Sequence, residues 1–301
     1  MTRIVRAALT ETRNVADLAA PFDPEAIRRA NVEHHVRLLQ RAASLGARAV
    51  GFGELFPAPY FALERDERWR ALAEDALDGP TTRAVAAAAR AHGVVVVAPL
   101  YELEPSTGRR FNTAVVIDAD GTVLGRSRKL HVPSGTNEIA GFHESFYYET
   151  AAGPLDPLLR NVSTHPLLPV FETAVGRVGV SICYDRHFPR VVETLARAGA
   201  EVVFSPAVTF GAKSRRLWSR EFEVDAARHR IVLAGSNRRG VEPPFAVEYF
   251  GESGFFSPEG RREDVDDDPE LVVSDLDLDA LRAPDPSGWD FRRDARPDVD
   301  G

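Results

Sequence analysis

Cys183 is the only cysteine in a chain of 301 residues, and it directly follows a short apolar run. The surrounding segment reads Val-Ser-Ile-Cys183-Tyr-Asp-Arg186-His-Phe-Pro, so the sulfur lies where a predicted strand gives way to a polar turn. α/β enzymes usually present a nucleophile at the carboxyl end of a strand, with its side chain open to a cleft. A free cysteine is also among the most buried residue types. Taken alone, the position leaves a nucleophile and a packing residue as equal alternatives.

Lysine is nearly as scarce as cysteine in this chain. Only Lys129 and Lys213 are lysines among the 37 basic residues, and Lys129 lies in the segment Arg-Ser-Arg-Lys129-Leu-His131-Val-Pro. Because nearly all other basic residues are arginines, a lysine at this position indicates a need for a compact ammonium group rather than a planar guanidinium. Four residues fall at predicted strand ends or in the loops that follow strands: Glu54, Lys129, Glu144 and Cys183.

Such residues can hydrolyse an amide or a ureide. A thiol that attacks the carbonyl carbon needs a base for its proton, a cation for the developing oxyanion, and a proton donor for the leaving nitrogen. Glu54 can act first as base and later as acid. Lys129 can stabilise the oxyanion together with the backbone N–H of Tyr184. This chemistry requires neither a histidine nor a metal ion.

Alternating apolar, β-branched runs and alanine- and arginine-rich stretches predict the elements that position these residues. The predicted strands are 4–9, 47–53, 94–100, 111–118, 123–128, 177–182, 201–205, 231–236, 251–257 and 270–277. The predicted helices are 23–45, 81–92, 190–199 and 218–230. Asp120-Gly121 marks a hairpin turn between two strands. Helices and strands that alternate, interrupted by hairpins, predict a layered α/β sandwich with mixed sheets.

The length and the 44% hydrophobic content allow one large domain, predicted at residues 1–283. The longest irregular stretch, 133–169, is a candidate binding loop. The tail 284–301 is rich in Asp, Arg and Pro and is expected to be either disordered or packed at a subunit interface.

Composition argues against several classes of function. A formal net charge of -8 leaves no basic field for a nucleic-acid backbone. The chain has no apolar run near the roughly 18–20 residues that span a bilayer, so no membrane partner is expected. One cysteine excludes an intramolecular disulfide and favours a reducing, cytoplasmic location. Without a His-Glu-x-x-His segment or a close cysteine pair, no dedicated metal centre is expected.

Three segments resemble the signatures of the nitrilase (carbon–nitrogen hydrolase) superfamily. They are Gly-Phe-Gly-Glu54-Leu-Phe-Pro, Arg-Lys129-Leu-His-Val-Pro and the Cys183 segment, in the same order and with similar spacing. The resemblance covers roughly residues 3–280 and implies a four-layer α-β-β-α sandwich. It also implies a cofactor-free Cys-Glu-Lys mechanism and a dimer, or higher homo-oligomer, joined through the helical layer. An auxiliary glutamate is implied before an aromatic pair, and Glu144 fits that context better than Glu138.

Arg186 decides the expected substrate class. Cys-Tyr-Asp-Arg186-His-Phe-Pro resembles the N-carbamoyl amino acid amidohydrolase (β-ureidopropionase) branch, as do the Glu144 segment and Phe-Ser-Pro-Ala-Val-Thr209. An arginine three residues beyond the nucleophile can bind a carboxylate with two parallel hydrogen bonds. Members that act on N-carbamoylputrescine tend to lack this arginine. The alternative for Arg186 is a surface or intersubunit salt bridge.

The sequence thus predicts an enzyme that hydrolyses an N-carbamoyl amino acid, such as N-carbamoyl-β-alanine, to the amino acid, ammonia and carbon dioxide. The candidate substrate contacts are Arg186, Tyr184, His131, Asn112 and Thr209. Loop packing is an alternative for His131, and orientation of Glu54 is one for Asn112. An N-carbamoylputrescine amidase or aliphatic amidase remains an alternative within the superfamily. A non-catalytic binding or assembly protein on the same fold is the alternative from another class.

Overall fold

Two six-stranded sheets form the centre of the computed structural model, which describes residues 3–153, 155–291, 293–296 and 298. The strands, in chain order, are β1 (Ile4–Thr10), β2 (Ala49–Gly51), β3 (Val95–Leu103), β4 (Arg110–Ile117), β5 (Val123–Arg128), β6 (Ser134–Thr136), β7 (Gly141–His143), β8 (Val170–Thr173), β9 (Gly176–Val180), β10 (Val202–Pro206), β11 (Val232–Ser236), β12 (Arg239–Glu242), β13 (Val247–Phe250), β14 (Gly254–Ser257), β15 (Gly260–Arg261) and β16 (Leu271–Asp277). The α-helices are α1 (Pro24–Ser44), α2 (Pro80–His92), α3 (Glu144–Tyr147), α4 (Pro189–Arg197) and α5 (Ala212–His229).

Both sheets are mixed. Their strand orders are β16-β1-β2-β3-β4-β5 and β15-β14-β11-β10-β9-β8. In the first sheet β1, β2 and β3 are parallel, and in the second β9, β10 and β11 are parallel. Antiparallel strands flank each parallel centre. Glu54 lies in the loop after the parallel strand β2, and Cys183 lies after the parallel strand β9.

The period of two along the buried strands divides the core into layers. Val96 belongs to a core cluster with residues of α1 and α2, whereas its neighbours Val95 and Val97 belong to the cluster that contains Phe204 of the second sheet. Trp218 and Phe222 of α5 belong to the same cluster as Phe204 and lie on the other side of the second sheet. The order of layers is therefore helices, sheet, sheet, helices. The predicted α-β-β-α sandwich is confirmed.

The structure corrects two predicted boundaries. Helix α5 begins at Ala212 rather than at 218, because its first turn is polar and carries no apolar periodicity. The strand predicted from 251 begins at Gly254, since Gly251 and Glu252 have positive φ angles of 66° and 62° and form a turn. The stretch predicted as irregular contains the hairpin β6–β7 and the short helix α3.

The predicted C-terminal tail is described in part. The guanidinium of Arg230 donates hydrogen bonds to the carbonyl oxygens of Ala280 and Ala283, and it pairs with Asp285 at 3.4 Å. Trp289 and Phe291 are exposed and have ring centroids 5.9 Å apart. Residues 292, 297 and 299–301 of the tail, and 1–2 and 154 of the predicted domain, lie outside the described residues. The described helices include none that is long and apolar enough to cross a membrane.

Candidate active site

The four candidate catalytic side chains lie together at the ends of strands from both sheets. Glu54 follows β2, Lys129 follows β5, and Cys183 follows β9, while Glu144 begins α3. Lys129 Nζ lies 2.9 Å from Glu54 Oε1 and 2.6 Å from Glu144 Oε2. All four side chains are buried. Residues that are up to 129 positions apart in sequence thus form one polar cluster inside the protein.

The peptide groups of Val208 connect the glutamate to the thiol. The Val208 N–H donates to Glu54 Oε2 at 2.6 Å, and Cys183 Sγ contacts the Val208 carbonyl oxygen at 3.9 Å. Val208 lies two residues after β10, the neighbour of the strand that leads to Cys183. The parallel pairing of β9 and β10 therefore brings Cys183 beside Val208, which in turn is hydrogen-bonded to Glu54.

Opposite charges stabilise each other in the buried cluster. Burial disfavours the ammonium of Lys129, but the carboxylates of Glu144 and Glu54 outweigh burial and hold its pKa well above the ordinary value. Burial raises the pKa of Glu144, and the nearby ammonium of Lys129 opposes that rise. Lys129 is consequently a permanent cation, positioned where an oxyanion can develop.

Cys183 is a buried, protonated thiol on a constrained backbone. Its φ angle is 50°, in the left-handed region, and it begins the short 3-10 helix Cys183–His187. Burial raises the pKa of the thiol to about 12, with a further contribution from the Glu54 carboxylate. Lys129 and Arg186 act in the opposite direction. At neutral pH the sulfur therefore needs a base to accept its proton during attack.

Two further residues hold Glu54 in position. Asn112 Nδ2 donates to Glu54 Oε1 at 2.6 Å, as expected if Asn112 orients Glu54. Asn112 does not line the cavity of about 500 Å³ that opens onto the cluster. Arg238 donates to the backbone carbonyl oxygens of Glu54 and Leu55 at 3.1 Å and of Ala58 at 2.8 Å. Sequence reasoning did not identify Arg238, because it lies 184 positions beyond Glu54.

Glu144 has a second hydrogen-bond partner that sequence reasoning missed. The hydroxyl of Tyr60 donates to Glu144 Oε1 at 2.7 Å. Burial, followed by the charge of Glu144, raises the pKa of Tyr60 well above 10, so the hydroxyl keeps its proton. Tyr60 lies six positions after Glu54 in the same segment. The sequence offered one signal for this contact, an aromatic residue shortly after Glu54.

A cavity of about 500 Å³ opens onto this cluster. Glu144 and Cys183 line it, as do the predicted substrate contacts Tyr184 and Thr209. Its other lining residues are Tyr60, Pro133, Thr136, Asn137, Glu138, Phe142, Arg186, His187, Val208, Phe210, Gly211, Lys213, Ser214, Leu217 and Glu221. The described residues include no group of three His, Cys, Asp or Glu side chains arranged to hold a metal ion.

The structure does not bring His131 into the cavity. Its ring stacks on Phe188 with centroids 3.5 Å apart, and its Nδ1 lies 2.8 Å from Asp185 Oδ1. Asp185 also accepts hydrogen bonds from the backbone N–H groups of Leu130 and His131. Loop packing, the alternative considered for His131, is what the structure shows. Asp185 thereby ties the turn of Cys183 to the residues that follow Lys129.

Arg186 lines the cavity but is already engaged. Its Nη1 donates to the carbonyl oxygen of Cys183 at 2.9 Å, and its Nε lies 3.3 Å from Glu221 Oε2. Its guanidinium carbon lies 5.2 Å from the centre of the Trp218 ring. Only 2% of the side chain is exposed. Its Nη2 is buried and has no hydrogen-bond partner, so the predicted two-bond clamp for a carboxylate would need Nη1 or Nε to leave its present contact. The salt bridge of Arg186 forms inside the chain.

Comparisons with known proteins show which family the chain resembles in sequence and in fold. Residues 21–284 match the family described as Carbon-nitrogen hydrolase. A β-ureidopropionase of Arabidopsis thaliana is 29% identical over 99% of this chain and 72% of that protein. An N-carbamoylputrescine amidase of Solanum tuberosum is 31% identical over 89% of this chain and 88% of that protein. A carbon-nitrogen hydrolase of Helicobacter pylori G27 has a similar fold, with a TM-score of 0.78, 24% identity, and coverage of 98% of this chain and 97% of the other.

Proposed function

The chain belongs to the carbon–nitrogen hydrolase family, and from this membership and the site geometry we propose that it hydrolyses an N-carbamoyl amino acid, such as N-carbamoyl-β-alanine. The cluster of Cys183, Glu54, Lys129 and Glu144, open to a cavity that two cationic side chains also line, carries this proposal. Those cations are Arg186 and Lys213, and they favour a substrate with a carboxylate. The similarity to a β-ureidopropionase supports the same substrate class.

In the first step the sulfur of Cys183 attacks the carbamoyl carbon, and a C–S bond forms. Glu54 accepts the thiol proton as the bond forms, because the high pKa of the thiol leaves little thiolate beforehand. The carbonyl oxygen becomes an oxyanion beside the ammonium of Lys129. The backbone N–H of Tyr184, in the first turn of a short helix, is a second donor to that oxygen.

The bond between the carbamoyl carbon and its NH₂ group then breaks as Glu54 returns the proton to that nitrogen, and ammonia leaves. The resulting cysteine-bound intermediate is attacked by water, whose proton passes to Glu54, and the sulfur recovers a proton as it leaves. Glu144, fixed by Tyr60 and Lys129, positions the carbamoyl NH₂ and the water. The remaining carbamate loses carbon dioxide. One ureide and one water thus give one amino acid, one ammonia and one carbon dioxide.

Ammonia release from three substrates tests the proposal: N-carbamoyl-β-alanine, N-carbamoyl-α-amino acids and N-carbamoylputrescine. The Cys183→Ala variant is the blank. We expect the anionic ureides to have the higher kcat/KM. Preference for N-carbamoylputrescine would favour a polyamine amidase instead.

An N-carbamoylputrescine amidase is the second candidate, because Glu138 lines the cavity without a salt bridge to any described residue and a relative of that name is 31% identical. An aliphatic amidase would release ammonia without carbon dioxide, so measuring both products separates it from a ureide hydrolase. A purely binding protein is disfavoured, since a binder would not require the complete Cys183, Glu54 and Lys129 cluster.

We further propose that the protein acts as a homodimer, or a higher homo-oligomer, on a small-molecule substrate in the cytoplasm. The resemblance of its motifs implies a dimer formed through the helical layer. Val224 on α5 is 51% exposed, which leaves an apolar side chain on that layer available for contact. The cytoplasm would keep Cys183, the residue that the mechanism needs as a thiol, reduced.

A further inference from the structure

The acidic groups deep in the cavity are paired with cations. Glu144 is paired with Lys129 at 2.6 Å. Glu221 is paired with Arg186 at 3.3 Å and with His187, whose Nδ1 lies 2.7 Å from Glu221 Oε1. These ion pairs lie within the protein. They leave neither carboxylate as a free partner for a cationic substrate.

The remaining charged residues that line the cavity are Glu138 and Lys213. Glu138 accepts a hydrogen bond from the backbone N–H of Ala212 in the first turn of α5, and this bond lowers the pKa of Glu138. Lys213, the next residue, is exposed and has no hydrogen bond or ion pair with any residue that the structure describes. Of the cavity's two basic side chains that the structure describes, Arg186 and Lys213, Lys213 is therefore the one without an ion pair.

Lys213 and Arg186 differ in what they can offer a ligand. Arg186 has its Nη1 bound to the Cys183 carbonyl and its Nε beside Glu221, and its guanidinium is almost fully buried. Lys213 carries three donors on a flexible four-carbon stem at an exposed position. A carboxylate that enters the cavity can reach this ammonium without breaking an existing ion pair. At Arg186, Nη2 has no hydrogen-bond partner among the described residues, but that atom is buried.

We propose that Lys213 is the specificity-determining residue that binds the substrate carboxylate, while Arg186 positions the Cys183 turn. This inference rests on the proposed function, because it assumes an anionic substrate. It also assigns a role to the second of the chain's two lysines.

The test compares N-carbamoyl-β-alanine with N-propylurea, in which a methyl group replaces the carboxylate. For Lys213→Ala we expect KM for the anionic ureide to rise about tenfold more than KM for N-propylurea, as for loss of one charge-assisted hydrogen bond. Lys213→Arg should retain most of the preference, and Lys213→Glu should shift it towards N-carbamoylputrescine. Arg216→Ala is the matched control, since Arg216 is exposed on the same helix but does not line the cavity.

Equal losses for the two ureides, or an unchanged KM for both, would overturn the assignment. If the wild-type enzyme cleaves amides but not ureides, the proposed function fails. The role of Lys213 is then decided by succinamate and butyramide, which differ by the same carboxylate. A selective loss with succinamate would support Lys213, and parallel behaviour of the two amides would contradict it.

Discussion

Cys183 is buried, and its backbone φ angle lies in the left-handed region. Alanine adopts this φ angle at a cost similar to that of cysteine, and it fills nearly the same space. We therefore expect Cys183→Ala to keep the thermal midpoint within a few degrees and to lose roughly 10⁴-fold or more in turnover. Ammonia release checks the loss of turnover, and thermal unfolding of the same preparation checks the thermal midpoint. Retained activity would exclude Cys183 as the nucleophile.

The protonated thiol leads to an expectation for alkylation. With its pKa raised to about 12, Cys183 carries about a thousandth of the thiolate of an ordinary cysteine at pH 7. Iodoacetamide should thus label the folded enzyme slowly, with a rate that rises about tenfold per pH unit above neutrality. Labelling should be much faster in urea.

Glu54→Gln separates this explanation from simple inaccessibility. The carboxylate of Glu54 contributes to the raised pKa of Cys183, so its removal should lower that pKa. We expect the variant to be inactive and yet to be alkylated faster than the wild type. Slower labelling of Glu54→Gln would instead mean that Glu54 activates the sulfur before substrate binds.

Arg238, which directly precedes β12, holds the turn that carries Glu54. Its guanidinium binds three backbone carbonyl oxygens of that turn and the fully buried carboxylate of Glu242. Arg238→Met leaves Glu242 buried without its cation, so we expect about 3–5 kcal/mol lower stability in urea unfolding, with a fall in kcat. Adding Glu242→Gln should recover part of the stability but not kcat. A cost below about 1 kcal/mol would contradict this role.

Helix α5 contains a carboxyl group with a raised pKa. Burial raises the pKa of Asp225 to about 6, and Arg228 only partly opposes the rise. The folded state therefore retains the Asp225 proton that the unfolded state loses near pH 4, so stability falls as the pH rises from about 4 to about 6.

Removing the charge of Asp225 should relieve this cost. After allowance for solvent screening, we expect Asp225→Asn to be roughly 1 kcal/mol more stable than the wild type at pH 7 and equal to it below pH 4. Urea unfolding at both pH values checks this, with Glu223→Gln, exposed on the same helix, as the control. An equal gain at both pH values would exclude the titration of Asp225 as its cause.

The fold could be predicted further than the site could. Alternating apolar runs located the strands of both sheets except β8 and β15, and the motifs around Glu54, Lys129 and Cys183 named side chains that the structure places close together. The supporting contacts were not visible, because Arg238 reaches Glu54 across 184 positions and no local pattern records that contact. Arg186 shows the same limit. Its spacing from Cys183 was informative, but Glu221, which engages it, lies on a distant helix.

The helical layer of α4 and α5 is the surface on which the proposed dimer depends. We expect light scattering after gel filtration to give twice the chain mass. Val224→Glu should shift the protein towards monomer, because it places a charge on the exposed apolar side chain of that layer. Glu223→Gln is the neighbouring control. A monomer at all concentrations would contradict this arrangement.

The scarcity of lysine has a practical consequence for handling the protein. Its two side-chain amines are Lys129, which is fully buried, and Lys213, which is exposed at the cavity. Amine-reactive dyes and aldehyde or succinimidyl-ester resins would therefore modify Lys213 far faster than Lys129. An enzyme immobilised through Lys213 would be held by the wall of its own cavity, and its substrate would be excluded. Coupling chemistry directed at carboxylates would avoid this orientation.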